Sequence, residues 1–169
     1  LSHAKNRVLI TGTRNAMVDG LRRVRYDLAA HDATSGDLVW KNTQVPTPDH
    51  ILQGPHGEQV QHPAIVGGVV YGPGFACVLE TGAAADVWRW QKSSYCGTIS
   101  TSENCAFSRY NNPRMFDLKS GEHTVLSTAI RPGCWINIIP AGGLVLVPES
   151  SAGCTCGHPI QTTMAFLPR

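Results

Sequence analysis

Apolar residues in this chain fall in short runs separated by polar turns, and those runs predict strands rather than helices. Three segments share one pattern: an apolar or aromatic strand, a polar turn ending in glycine, and a second strand. They are Leu28-Ala-Ala-His-Asp-Ala-Thr-Ser-Gly36-Asp-Leu-Val-Trp40, Cys77-Val-Leu-Glu-Thr-Gly82 followed by Val87-Trp88, and Met115-Phe-Asp-Leu-Lys-Ser-Gly121-Glu-His-Thr-Val-Leu126. A second series of hairpins interleaves with the first. Ala64-Ile-Val-Gly67-Gly68-Val-Val-Tyr71 and Ile138-Ile-Pro-Ala-Gly142-Gly143-Leu-Val-Leu-Val147 are short apolar runs around Gly-Gly, and Ile99-Ser-Thr-Ser-Glu103-Asn104-Cys-Ala-Phe107 takes the intermediate place. Ile160 to Leu167 reads as one further alternating strand.

The 17 glycines and 11 prolines punctuate the chain too often for long helices. Thr13 to Tyr26 is the stretch that could bear a few helical turns, with Met17, Val18, Leu21 and Val24 as its apolar face and Gly20 weighing against it. Thr43 to Gln61, rich in Pro, His and Gly, reads as a long loop. No domain boundary is evident, so residues 1–169 read as one all-β segment. Gly36, Gly82 and Gly121 are 46 and 39 residues apart, which matches one four-stranded blade of a β-propeller. Counting hairpins gives roughly three and a half to four blades, short of most rings. The expectation is a partial ring, completed by upstream blades or by a second protein chain.

The net charge of +2 is close to neutral. The densest basic run, Arg22, Arg23 and Arg25, reads as a solvated edge rather than a phosphate patch, and no nucleic-acid partner is expected. No apolar run approaches the roughly 18 residues of a membrane span. Six cysteines (Cys77, Cys96, Cys105, Cys134, Cys154 and Cys156) are many for a reduced cytosolic protein. A periplasmic or extracellular address is expected, with buried free thiols as the alternative.

At Asp32-Ala-Thr-Ser-Gly36-Asp-Leu-Val-Trp40 the chain resembles the repeat of the quinoprotein-dehydrogenase-like, or pyrroloquinoline-quinone-like, propellers. The resemblance implies a Trp that docks between neighbouring blades. Trp40 and Trp88 suit that role, and Leu126 departs from it. The strings Cys96-Gly-Thr-Ile-Ser-Thr-Ser-Glu-Asn-Cys105, Arg131-Pro-Gly-Cys-Trp-Ile-Asn-Ile-Ile-Pro-Ala-Gly-Gly143 and Ser151-Ala-Gly-Cys-Thr-Cys-Gly-His-Pro-Ile-Gln-Thr-Thr163 are similar to the C-terminal end of large bacterial secreted proteins of that type. This implies a fold and an exported address, and no particular activity.

Candidate chemistry centres on Cys154-Thr-Cys156. Haem attachment needs two residues between the cysteines and His directly after, which this pair lacks. A zinc or copper site would join Cys154 and Cys156 to Cys134, His158 or Cys96, although its spacing is unusual. The simplest reading is a disulfide from Cys134 to Cys154 or Cys156, because the Gly142-Gly143 turn brings position 134 opposite about position 151. Quinone binding lacks the adjacent cysteines that many such enzymes carry. Asp32 and Asp117 sit at repeat positions and shape turns; Asp19, Glu103 and Glu149 are the other carboxylates weighed. His50, His56 and His62 lie in the Pro/Gly loop and read as solvated or satisfied by backbone groups, with a metal site or a base, as in propeller-fold polysaccharide lyases, as the alternative. Trp88 and Trp90 share one strand face and read as core, with a docking residue beside a surface platform as the alternative. Residues for a possible binding surface are therefore Trp88, Trp90, His56 and His62.

No catalytic residues and no cofactor are expected, with a metal ion, haem or quinone as the weaker reading. The function expected is a non-catalytic interaction or scaffold module that binds a protein or carbohydrate partner. The alternative is part of a quinone- or metal-dependent oxidoreductase, or of a propeller-fold polysaccharide lyase, whose site is shared with further blades.

Overall fold

The computed structural model describes residues 1–45, 62–90, 97–133, 138–149, 160 and 162–167. Among them there is no helix, and the strands form four antiparallel sheets of three or four strands each. The chain divides into two compact units, Leu1–Lys92 and Ser93–Arg169, with two sheets in each.

In the first unit, sheet 1 is β1 (Ser2–Ala4), β2 (Arg7–Val18), β3 (Leu21–Asp32) and β4 (Leu38–Val45), in that order. Sheet 2 is β5 (Ala64–Val66), β6 (Val69–Gly72) and β7 (Phe75–Val78), with an isolated bridge from Cys77 to Ala84 at the fourth position. In the second unit, sheet 3 is β8 (Ser100–Thr101), β9 (Cys105–Tyr110), β10 (Asn112–Asp117) and β11 (His123–Val125). Sheet 4 is β12 (Ile139–Ala141), β13 (Leu144–Val147) and β14 (Met164–Phe166), with Ile160 bridged to Ile130.

The tight turns follow from backbone geometry. Gly67 and Gly68 have φ of 59° and 82°, and Gly142 and Gly143 have 59° and 74°. Two successive positive values make the mirror-image hairpin turn whose twist matches the flanking strands. Both Gly-Gly hairpins therefore form where expected, and Glu103-Asn104 turns the third between Ser102 and Cys105. A fourth hairpin of the same series joins β1 to β2 through Lys5-Asn6, at φ of 47° and 59°. It lacks glycine, so the sequence gives little warning of it.

The stretch from Thr13 to Tyr26 is not helical. It forms the distal part of the β2–β3 hairpin, whose strands have 12 residues each and pair without a break from Arg7↔Asp32 to Val18↔Leu21. Asp19-Gly20 supplies the positive φ values its turn requires, 52° and 75°. The apolar residues that suggested a helical face sit in two strands instead. Residues 43–45, read as the start of a loop, complete β4; positions 46–61 lie outside the described residues.

Each unit buries the apolar residues of its two facing sheets. In the first, alternate residues of β3 (Tyr26, Leu28 and Ala30) point inward with Leu9 and meet Val70, Phe75, Cys77 and Leu79 of sheet 2. The Tyr26 and Phe75 rings lie 5.6 Å apart in a tilted contact. In the second unit, Phe107, Ile130, Ile138 and Val147 form the centre, with Met115, Leu126, Val145, Met164 and Phe166 packed around it. Ser100 Oγ also donates to the Ile138 carbonyl and ties sheet 3 to the start of sheet 4.

Candidate functional site

The three glycine turns have one geometry. In the first, Asp32 N–H donates to the Asp37 carbonyl and Gly36 N–H to the Asp32 carbonyl, each at 2.9 Å. The second repeats this, with Val78 donating to Ala83 and Gly82 to Val78, each at 2.8 Å. In the third, Asp117 donates to Glu122 and Gly121 to Asp117, each at 2.9 Å. The glycine φ is 80°, 69° and 74° in turn, a region L side chains rarely occupy. A Ser or Thr hydroxyl just before each glycine accepts from the amide just after it: Ser35 from Asp37, Thr81 from Ala83, Ser120 from Glu122.

Each corner also sits on the hairpin turn of its own sheet. Ala33 N–H donates to the Asn6 carbonyl at 3.0 Å, Leu79 to Gly68 at 2.9 Å and Leu118 to Asn104 at 2.9 Å. The Asp32 carboxylate accepts from the amides of Ser35 and Thr34, and Asp117 from those of Ser120 and Lys119. These bonds stabilise the ionised form and hold both carboxyls below the usual range; the Arg7 guanidinium adds to the effect at Asp32. Both aspartates shape turns, as the repeat pattern predicted.

The seam between sheets 1 and 2 is pinned by Trp40. Its Nε1–H donates to the Leu79 carbonyl at 2.8 Å, and its ring lies so close over Gly82 that a Cβ there would meet Cε3 at 2.5 Å. Asn42 Nδ2 reaches the Gly82 carbonyl at 3.4 Å. Arg7 spans the same seam, 2.6 Å from Glu80 and 3.3 Å from Asp32. Glu80 is exposed enough that this ion pair contributes about 1 kcal/mol or less. The indole and the glycine beneath it carry the seam.

The facing sheets of the second unit enclose an open apolar groove of about 660 Å³. Phe107, Met115, Leu126, Leu144, Val145 and Phe166 supply most of its wall, and Ser102 is the hydroxyl at its edge. Leu126 thus belongs to the sheet 3–sheet 4 core and groove rather than carrying a Trp-like anchor.

The remaining sequence candidates separate. Trp90 is 2% exposed, and Trp88 is half-buried; neither lies in a strand, so the shared-face arrangement is corrected and Trp90 is a core side chain with no surface to offer. Its carbonyl accepts from Gly74 N–H. His62 is exposed beside the buried Pro63. Cys96, Cys134, Cys154, Cys156, His50, His56 and His158 lie outside the described residues, so the proposed disulfide and metal sets are neither assembled nor broken here. Cys77 and Cys105 are free thiols. Burial pushes the Cys77 thiol up to about 11, and Cys105 is raised by burial and by the nearby Asp117 charge. Among the described residues no three His, Cys, Asp or Glu side chains lie close enough to hold a metal ion, and no helix is long and apolar enough to cross a membrane.

Three of the four sheets carry the same glycine corner. No protein-family model matches the chain, and no curated protein does.

Proposed function

We propose that this chain is a run of β-propeller blades of the pyrroloquinoline-quinone-like repeat type, working as a non-catalytic interaction module of an exported protein. The single observation that carries the reading is the seam of the first unit, where Trp40 of one sheet caps Gly82 in the corner of the next and bonds the Leu79 carbonyl. A side chain that binds the main chain of the following sheet suits blades stacked around an axis. The identical corner in three sheets supports a repeated unit. The carboxylates at the corners, Asp32 and Asp117, are spent on backbone amides, which favours scaffold over chemistry. Six cysteines support an oxidising compartment.

The test is elemental analysis and a visible spectrum of the natively purified protein. The module reading expects no stoichiometric metal and no absorption band from quinone or haem. Stoichiometric calcium or transition metal, or such a band, would overturn it in favour of an oxidoreductase or lyase.

A further inference from the structure

The β2–β3 hairpin outgrows its sheet. β1 covers only Arg7–Leu9 of β2, because Ser2 pairs with Leu9, and β4 reaches Tyr26 of β3 through Val45. Beyond those rungs the hairpin is a two-stranded ribbon. Arg14 fixes its root: Nε lies 3.2 and 3.1 Å from the two Asp27 carboxylate oxygens, and Nη2 donates to the Thr43 carbonyl at 2.8 Å.

The turns fix which backbone groups face outward. Ala4 and Arg7 close the two-residue turn of β1–β2, and Val18 and Leu21 close that of β2–β3. Pairs that flank such turns exchange hydrogen bonds, and the direction then alternates along the strand. Thr11, Thr13, Asn15 and Met17 therefore turn N–H and C=O away from β3. Among the described residues no strand lies beside them. This free edge is about 20 Å long at the usual strand rise, and Ile10 and Met17, 44% and 65% exposed, stand at its ends.

The charge is concentrated here too. Arg14, Arg22, Arg23 and Arg25 against Asp19 and Asp27 give positions 13–27 two positive charges, the whole of the chain's net +2. The remainder is neutral. Register places Arg14 and Arg25 opposite each other on one face of the ribbon.

We propose that the outer edge of β2 from Thr11 to Met17 is a docking site for an extended acidic polypeptide segment, which adds as a strand beside the arginine-rich β2–β3 ribbon. An edge offers main-chain affinity, and the charge selects the partner. The site deepens the interaction reading above and rests on it. The two fail separately, because a bound metal or chromophore removes the module, whereas an unprotected edge removes only this site.

The experiment uses the whole chain and a fluorescein-labelled twelve-residue peptide of alternating Glu and Thr. Saturable anisotropy binding is expected, with amide hydrogen exchange slowed across positions 11–17 of the wild type. Binding should weaken about tenfold or more in the Arg23→Glu/Arg25→Glu variant. It should weaken likewise in Asn15→Pro, which removes an outward N–H that β3 does not use. Undiminished binding in Asn15→Pro, equal binding of a Lys-Thr peptide, or tighter binding of a duplex DNA or a heparin fragment would overturn it. So would unchanged exchange at the edge of the wild type.

Discussion

The Trp40 indole lies on Gly82 with no room for a Cβ between them, the nearest ring atom standing 2.5 Å from where one would be. Gly82 is thus required twice, once for its φ of 69° and once for the indole above it. Gly36 has a similar φ, 80°, and nothing within 4 Å. Gly36→Ala is expected to cost only the backbone strain, about 1–2 kcal/mol. Gly82→Ala adds an overpacked seam and should cost about 1–3 kcal/mol more. Chemical denaturation of the two variants checks the difference, and equal losses would remove the seam argument.

Trp40 itself combines a packed ring with one directed hydrogen bond. Trp40→Phe keeps most of the ring and loses the bond to Leu79, a change of about 1 kcal/mol. Trp40→Ala should cost about 2–4 kcal/mol, less than a fully buried indole because this one is half-buried. Denaturant midpoints of both variants test the order, which requires Ala to be clearly worse than Phe.

The corner aspartates predict the acid limb of stability. Amides of Ser35 and Thr34, with Arg7, depress the Asp32 carboxyl, and Ser120 and Lys119 depress Asp117. A depressed folded value means the contribution is present above the unfolded value, about 3.9, and is lost as pH falls through the lower folded values. The denaturant midpoint should therefore drop as pH falls below about 4. The Asp32→Asn/Asp117→Asn variant keeps oxygen acceptors but no charge. It should start lower at neutral pH and change less across that window.

Burial holds Cys77 as a neutral thiol, with its value pushed up to about 11. For a raised thiol the stabilisation is present below the unfolded value, about 8.5, and is lost as pH rises toward the folded one. Stability should decline above about pH 8.5 by a share that Cys77→Ala abolishes. Under native conditions at neutral pH, iodoacetamide followed by peptide mass spectrometry should find the half-buried Cys105 labelled well before Cys77.

The parts of the fold legible in the sequence are those whose backbone demands a particular residue. Gly67-Gly68 and Gly142-Gly143 announce hairpins because few other residues tolerate two positive φ values in succession. Gly36, Gly82 and Gly121 mark the corners for the same reason, and Trp40, four residues beyond Gly36, reaches across to the second sheet. Lys5-Asn6 turns equally tightly, yet nothing in that pair distinguishes it from surface sequence. The β2–β3 ribbon is obscured because Met17, Val18, Leu21 and Val24 have a spacing that suits a helical face, and only Asp19-Gly20 betrays the reversal. Trp88 and Trp90 look like one strand face by spacing, and no strand forms there. The groove of the second unit is a tertiary product: Phe107, Leu126 and Phe166 meet only after two sheets fold.

Val78 occupies the corner position that Asp32 and Asp117 hold elsewhere, and the corner closes regardless. Its bonds run between amides and carbonyls that every residue carries, with one glycine and a single hydroxyl as the shared side-chain demands. A unit specified so sparingly leaves almost every letter free to vary while its shape persists.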